Sequence, residues 1–287
     1  MSSEYLIPDD AFTVSPEELT PQGMRQKYLT GRYNRQRYVQ EFGLISEEYV
    51  PGQIYMQSTY YSRCMQSAFA ELMGLYPPSP DLVELDDLVP GISQLPFGVR
   101  DFEAMPVSLT AIPVLTFELG NYSDLRDQSC RMVSERYFAG VSSQDSRLAA
   151  YSDLFEAVRD PIREALEIDT DEIEQVNYTK LDDLSDIVDS MYFENPKQIS
   201  ITQEDHAAML EMHSRFKIET MSDADVTLYL SKLMDRPIKL ARQRIRQMLG
   251  YEEPNEVLDK MKLMMYNAHD TQASRMLHWL NPTNLSH

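Results

Sequence analysis

Apolar positions along the chain fall into helical periods broken by a few short β-rich runs. After an irregular start at residues 1–14, Ser15-Pro16-Glu17-Glu18 combines a capping Ser, a first-turn Pro and a third-position Glu. Thr20-Pro21 offers a second helix start just beyond it. The stretch 22–42 then runs helically, with Met24, Tyr28 and Leu29 on one face, and Gly43 is a fitting stop. Residues 52–59 are short and β-rich and predict a strand. A helix follows at once, with Met65, Ala68, Phe69 and Leu72 at i, i+3, i+4, i+7 spacing, and prolines close it at 77–80. Residues 111–119 are extended, although Pro113 demotes them to an edge or irregular segment.

From about 122 to 250 the periodicity is almost wholly helical. The two longest periods, 142–168 and 222–251, each carry an internal break at Pro161 and Pro237. Between them, Leu181, Leu184 and Val188 form the apolar stripe of an acidic surface helix. Residues 257–268 pass from a helix end into a second buried strand, and 270–280 form a closing helix. Solenoid-period repeats are absent. The layout is strand–helix, helical insertion, strand–helix. It predicts an α/β domain with a parallel or mixed sheet over 1–120 and 251–287, and a large all-helical lobe over 121–250. The strand count is two or three, fewer than a parallel sheet covered on both faces normally contains.

Composition narrows the function classes. The 287 residues carry 46 acidic and 26 basic side chains, a formal charge of -20. Such a surface repels nucleic acid and anionic membranes. It still admits a small phosphorylated ligand where a few arginines focus the local field. Cys64 and Cys130 match no zinc or redox spacing. The opening residues contain neither the basic nor the apolar region of a signal peptide, and no run approaches the roughly 20 apolar residues needed to cross a bilayer.

Two strand-to-helix junctions carry the candidate chemistry. Ligands of open α/β sheets sit beyond the carboxyl ends of the strands. The first strand gives way to Ser58-Thr59, and Arg63 falls in the first turn of the next helix. The second ends on His269-Asp270, again at a helix start. A helix N-terminus and a guanidinium fork both suit phosphate oxygens. An adjacent His and Asp offer a donor to a phosphoryl oxygen and an acid for a departing alcohol. The bland readings stand beside these: Asp270 as a helix cap, His269 as a structural residue, Arg63 as half of an ion pair.

The blocks that surround these residues resemble the histidine acid phosphatases, branch 2 of the histidine phosphatase superfamily. "ELTPQGMRQKYLTGRYNRQRYV" is similar to that family's first long helix. "IYMQSTYYSRCMQSAFAELMGLYPP" resembles its Ser-Thr and phosphate-binding Arg block, "IPVLTF…DQSC" the segment before a structural Cys, and "MMYNAHDTQAS" its His-Asp signature. These blocks occur in family order over roughly 18–275. The resemblance implies that Arg63 binds substrate phosphate, His269 contacts the transferring phosphoryl group and Asp270 protonates the leaving oxygen. It also implies hydrolysis of phosphomonoesters at acidic pH through a phosphohistidine, no metal or other cofactor, and a secretory or lysosomal setting. Cationic groups facing a trigonal phosphoryl group are what such a reaction needs.

The family nucleophile is the His of an Arg-His-Gly-x-Arg-x-Pro motif, and no residue of this sequence matches it. The C-terminal strands of the family and the partner expected for Cys130 are also unmatched. A sheet lacking an interior strand would leave buried amides unpaired, at about 1–3 kcal/mol each. Two readings remain. In one, the chain is a truncated form of an acid phosphatase. In the other, it is a pseudo-phosphatase that binds or scaffolds, completed by a partner chain. Three further signals are secondary. Asn121, Asn177 and Asn284 head glycosylation triplets. His206 and His213 lie two turns apart, which reads as a solvated helix face before a metal site. The 17 Met and 17 Tyr read as packing.

Overall fold

The computed structural model describes residues 12–15, 17–77, 111–116, 132–133, 135, 146–194 and 199–280. In chain order the elements are α1 (Pro21–Arg35), a π-helical turn (Gln36–Glu41), β1 (Ile54–Ser58), α2 (Ser62–Leu75) and β2 (Leu115–Thr116). Then come α3 (Ser146–Ala149), α4 (Ser152–Ala157), α5 (Arg159–Leu166), α6 (Thr170–Glu174) and α7 (Tyr178–Glu194). The last are α8 (Gln203–Glu219), α9 (Asp223–Met248), α10 (Glu256–Lys260), β3 (Leu263–Asn267) and α11 (Asp270–Leu280). The architecture is α/β and rich in helix, with a three-stranded parallel sheet ordered β2-β1-β3.

Two units divide the chain. The sheet unit comprises Pro21–Phe117 and Arg242–Asn267; the helical unit comprises Met1–Thr20, Glu118–Ala241 and Ala268–His287. In the sheet unit β1 is buried along its whole length, and Ile54, Met56, Ala68, Leu72 and Leu75 form the core around it. The strand is shorter than the predicted 52–59. Gly52 adopts φ +91°, and the Gln53 side chain turns aside to pair with Ser46. β3 is partly exposed where a buried strand was expected; only its last residue, Asn267, is buried. The extended segment pairs at residues 115–116, and 117–119 lie outside the described residues.

α1 starts at the second of the two predicted signals, Thr20-Pro21, whereas before it Glu18 N donates to the Ser15 carbonyl at 3.1 Å and Glu17 has φ +68°. Its apolar stripe does not face the core: Leu29 is 52% exposed, and Met24 is exposed as well. Glycines make the contact instead. A Cβ on Gly31 would stand 2.0 Å from the carbonyl oxygen of Glu71, and one on Gly74 2.1 Å from that of Tyr28. Two backbones this close leave no room for the side chains the period suggested. The same crossing turns Phe69 outward, 51% exposed, while Ala68 and Leu72 face inward. Polar bonds flank the crossing: Lys27 to Glu71 at 2.5 Å, Asn34 Nδ2 to Glu71 Oε1 at 2.9 Å, and Arg35 Nη1 to the Leu75 carbonyl at 3.0 Å.

The helical unit has its own core, centred on Phe155, Ile162, Leu181, Leu184, Val188, Met212 and Phe216. The predicted stripe of α7 faces it. Of the two internal prolines only Pro161 coincides with a break. It sits in the first turn of α5, where its missing N–H costs nothing, just after the chain turns at Val158. Pro237 lies inside an uninterrupted α9, so the predicted break there does not occur. Thr202 caps α8, its Oγ1 accepting from Asp205 N at 3.1 Å. Cys130, Asn121 and Asn284 lie outside the described residues.

Candidate functional site

In the sheet unit, the strand ends determine where Arg63 is held. Ser58 of β1 stands in register with Asn267 of β3, so both strands finish at the same edge of the sheet. The backbone N–H of Thr59 donates to the Asn267 carbonyl at 3.1 Å, and Asn267 Nδ2 donates to the Cys64 carbonyl, also at 3.1 Å. These two bonds tie the end of β3 to the first turn of α2. No side chain caps that turn; the Tyr61 carbonyl instead accepts from the backbone of Cys64 and Met65. The Arg63 guanidinium lies 4.7 Å over the Tyr61 ring, which stacks on Tyr60 with centroids 4.6 Å apart. Stacking of this kind orients a guanidinium without consuming its charge. Arg63 is half-buried.

His269 and Asp270 follow β3 directly in the chain and belong to the helical unit, as Arg63 belongs to the sheet unit. Their helix start is braced by Gln272. Its Oε1 accepts from His269 N at 3.0 Å and from Thr271 Oγ1 at 3.1 Å, while its Nε2 donates to Tyr229 Oη at 2.7 Å. Gln272 is buried. One helix turn on, buried Arg275 reaches Thr220.

Asp270 enters a charged cluster. His213 Nε2 lies 3.5 Å and Lys217 Nζ 3.6 Å from Asp270 Oδ2. The same two cations face Asp182 of α7, His213 Nδ1 at 2.8 Å and Lys217 Nζ at 3.5 Å. The His213–Asp182 approach is close but off-line, an ion pair without hydrogen-bond alignment. Asp182 is only 6% exposed, whereas Asp270 is 58% exposed. Burial by itself lowers the pKa of His213, but Asp182 and Asp270 outweigh it and raise the imidazole to about 9. For Asp270 burial acts upward, and His213 and Lys217 overcome it, holding the carboxyl well below its ordinary range. Burial pushes the neighbouring Asp186 carboxyl up.

The solvated face expected for His206 and His213 is therefore not what these residues form. His206 is buried, stacked 4.0 Å from Tyr192, with Nε2 2.7 Å from Asp189 Oδ1. His213 points at carboxylates from two other helices. Among the described residues no three His, Cys, Asp or Glu side chains are arranged to hold a metal ion. No helix among them is long and apolar enough to cross a membrane. Sequence reading missed Asp182, Lys217, Gln272 and Tyr229. One signal was present: Asp182 sits inside the Leu181–Val188 stripe, and a carboxylate on a buried stripe calls for a cation.

Comparison with known proteins adds a family context. Residues 2–104 match the model of the histidine phosphatase superfamily, branch 2. The lysosomal acid phosphatase of Rattus norvegicus is 33% identical over 115 residues, 39% of this chain and 24% of that protein. The human lysosomal acid phosphatase is 30% identical over 140 residues, 48% of this chain and 29% of its own length. The chain thus spans less than a third of these relatives. Among solved structures, the phytase of Citrobacter braakii superposes with TM-score 0.59 at 13% identity, covering 96% of this chain and 68% of that one. The apo phytase of Hafnia alvei gives 0.58 at 14%, covering 98% and 71%. At such identities the structural likeness concerns the fold.

Proposed function

We propose that this chain is a member of branch 2 of the histidine phosphatase superfamily and that it binds the phosphate of phosphomonoesters without hydrolysing them by itself. In this reading Arg63 pairs with phosphate oxygens, His269 donates to the phosphoryl group and Asp270 stands on the leaving-group side. The observation that carries it is the parallel register of β1 and β3. Ser58 faces Asn267, and each strand is followed within a few residues by a helix with Arg63 or Asp270 in its first turn. Open α/β sheets hold ligands beyond the carboxyl ends of their strands, and along the chain each of these residues follows such an end.

Hydrolysis through a phosphohistidine needs an attacking imidazole in front of the phosphorus, and no Arg-His-Gly-x-Arg-x-Pro segment occurs in the sequence. The Asp270 carboxyl is paired with His213 and Lys217, which favours its ionised, acceptor form over that of a proton donor to a leaving alkoxide. That observation favours a binding role over an acid phosphatase acting alone. A partner chain that supplies the nucleophile would restore turnover. The test is hydrolysis of an aryl phosphate at pH 5 by the purified chain. Rates indistinguishable from buffer are expected, and turnover abolished by His269→Ala would overturn the proposal.

A further inference from the structure

We infer that His213 and Lys217, one turn apart on α8, are positioning residues that clamp the Asp270 carboxylate in place, with Asp182 of α7 as the anchor behind them. The inference rests on the role proposed above for Asp270. Residues at i and i+4 share a helix face, so both cations point the same way. Each has two partners, one buried and one exposed: Asp182 on the inside and Asp270 on the outside. A carboxylate as buried as Asp182 must keep its cations close, and this holds His213 and Lys217 in position whether or not Asp270 is present. Asp270 then meets a pair of positive groups that are already immobilised. Further carboxylates facing the pair come from α7: Asp186 acts on both cations, and Asp183 on Lys217.

The clamp has a consequence for chemistry. Two cations about 3.5 Å from one oxygen favour the ionised carboxyl. Asp270 is kept as an acceptor and an orienting charge, and it becomes a proton donor only when the pair lets go. His213 and Lys217 therefore regulate which form of Asp270 the site presents.

The test follows carboxyl and imidazole titrations by NMR in the full chain, without phosphate. In the wild type Asp270 is expected to titrate below the ordinary carboxylate range. In H213Q/K217Q it is expected to move up by about one pH unit or more. The reciprocal variant leaves Asp182 satisfied and so keeps the fold: in D270N the His213 imidazole is expected to titrate lower than in the wild type. An Asp270 titration in the ordinary range, or a His213 titration unmoved by D270N, would overturn the clamp. Failure of phosphate binding would sink the functional proposal and leave both titrations standing, so the two outcomes separate.

Discussion

Replacing Gly74 by Ala sets two physical effects against each other, and the geometry decides between them. In an exposed helix the change would stabilise by about 1 kcal/mol, because glycine loses the most backbone entropy on ordering. At this position the new methyl would stand 2.1 Å from the Tyr28 carbonyl oxygen, 2.9 Å from Arg32 N and 2.9 Å from Gly31 Cα. All three neighbours are backbone atoms, so no side chain can swing aside. Relief requires α1 and α2 to separate by roughly an ångström, which loosens the packing of the crossing. Overpacking of this kind costs about 1–3 kcal/mol, and here it sits at the upper end because the obstacle is rigid. The net expectation is a loss of about 2 kcal/mol. Urea unfolding of wild type and G74A, with the midpoint shift read at constant m, measures it. G31A makes the same demand from the other helix. The double variant should therefore lose much less than the two single losses added, since the helices separate only once. A G74A protein as stable as wild type, or strict additivity with G31A, would refute the close crossing.

Two other outcomes follow from the charged cluster. His213 has a folded pKa raised to about 9 from 6.5, so its pairing stabilises fully below pH 6.5 and is lost as pH rises through 9. Asp270 is depressed, so its share is present above its ordinary value near 4 and is lost as pH falls below it. Unfolding free energy should accordingly be highest between about pH 4.5 and 6.5 and fall by on the order of 2 kcal/mol by pH 9.5. A stability curve that rises from pH 6.5 to 9.5 would contradict the pairing. Asp182→Asn should destabilise by about 3 kcal/mol in denaturant unfolding, because it strands two cations beside a largely exposed carboxylate. A change under 0.5 kcal/mol, the usual range of a surface substitution, would show that Asp182 anchors nothing.

The parts of the fold legible in the sequence were those set by local rules. Both strand-to-helix junctions were readable because an apolar run stops at polar residues that start a helix, and this put Arg63 and Asp270 in first turns. The α7 stripe was readable from its period. What failed depended on tertiary contact. Leu29, Met24 and Phe69 matched helical spacing yet lie outside, because a glycine crossing, with no periodicity of its own, took the contact face. His213 looked like part of a solvated face because its partners lie far off in sequence, Asp182 and Asp270 on other helices. The closing helix α11 groups with the helical unit for the same reason: its ties run through Gln272 to Tyr229, through His278 to Asp223 and through Asp270 to α8.

Binding of inorganic phosphate at pH 5 by calorimetry, in wild type, Arg63→Ala and His269→Ala, addresses the functional reading most directly. The account predicts measurable binding by the wild-type chain and at least a tenfold loss in Arg63→Ala, the worth of a charge-assisted phosphate contact at about 1.4 kcal/mol or more. A smaller loss is expected in His269→Ala. Binding of equal strength in all three proteins, or no binding by the wild type, would contradict it.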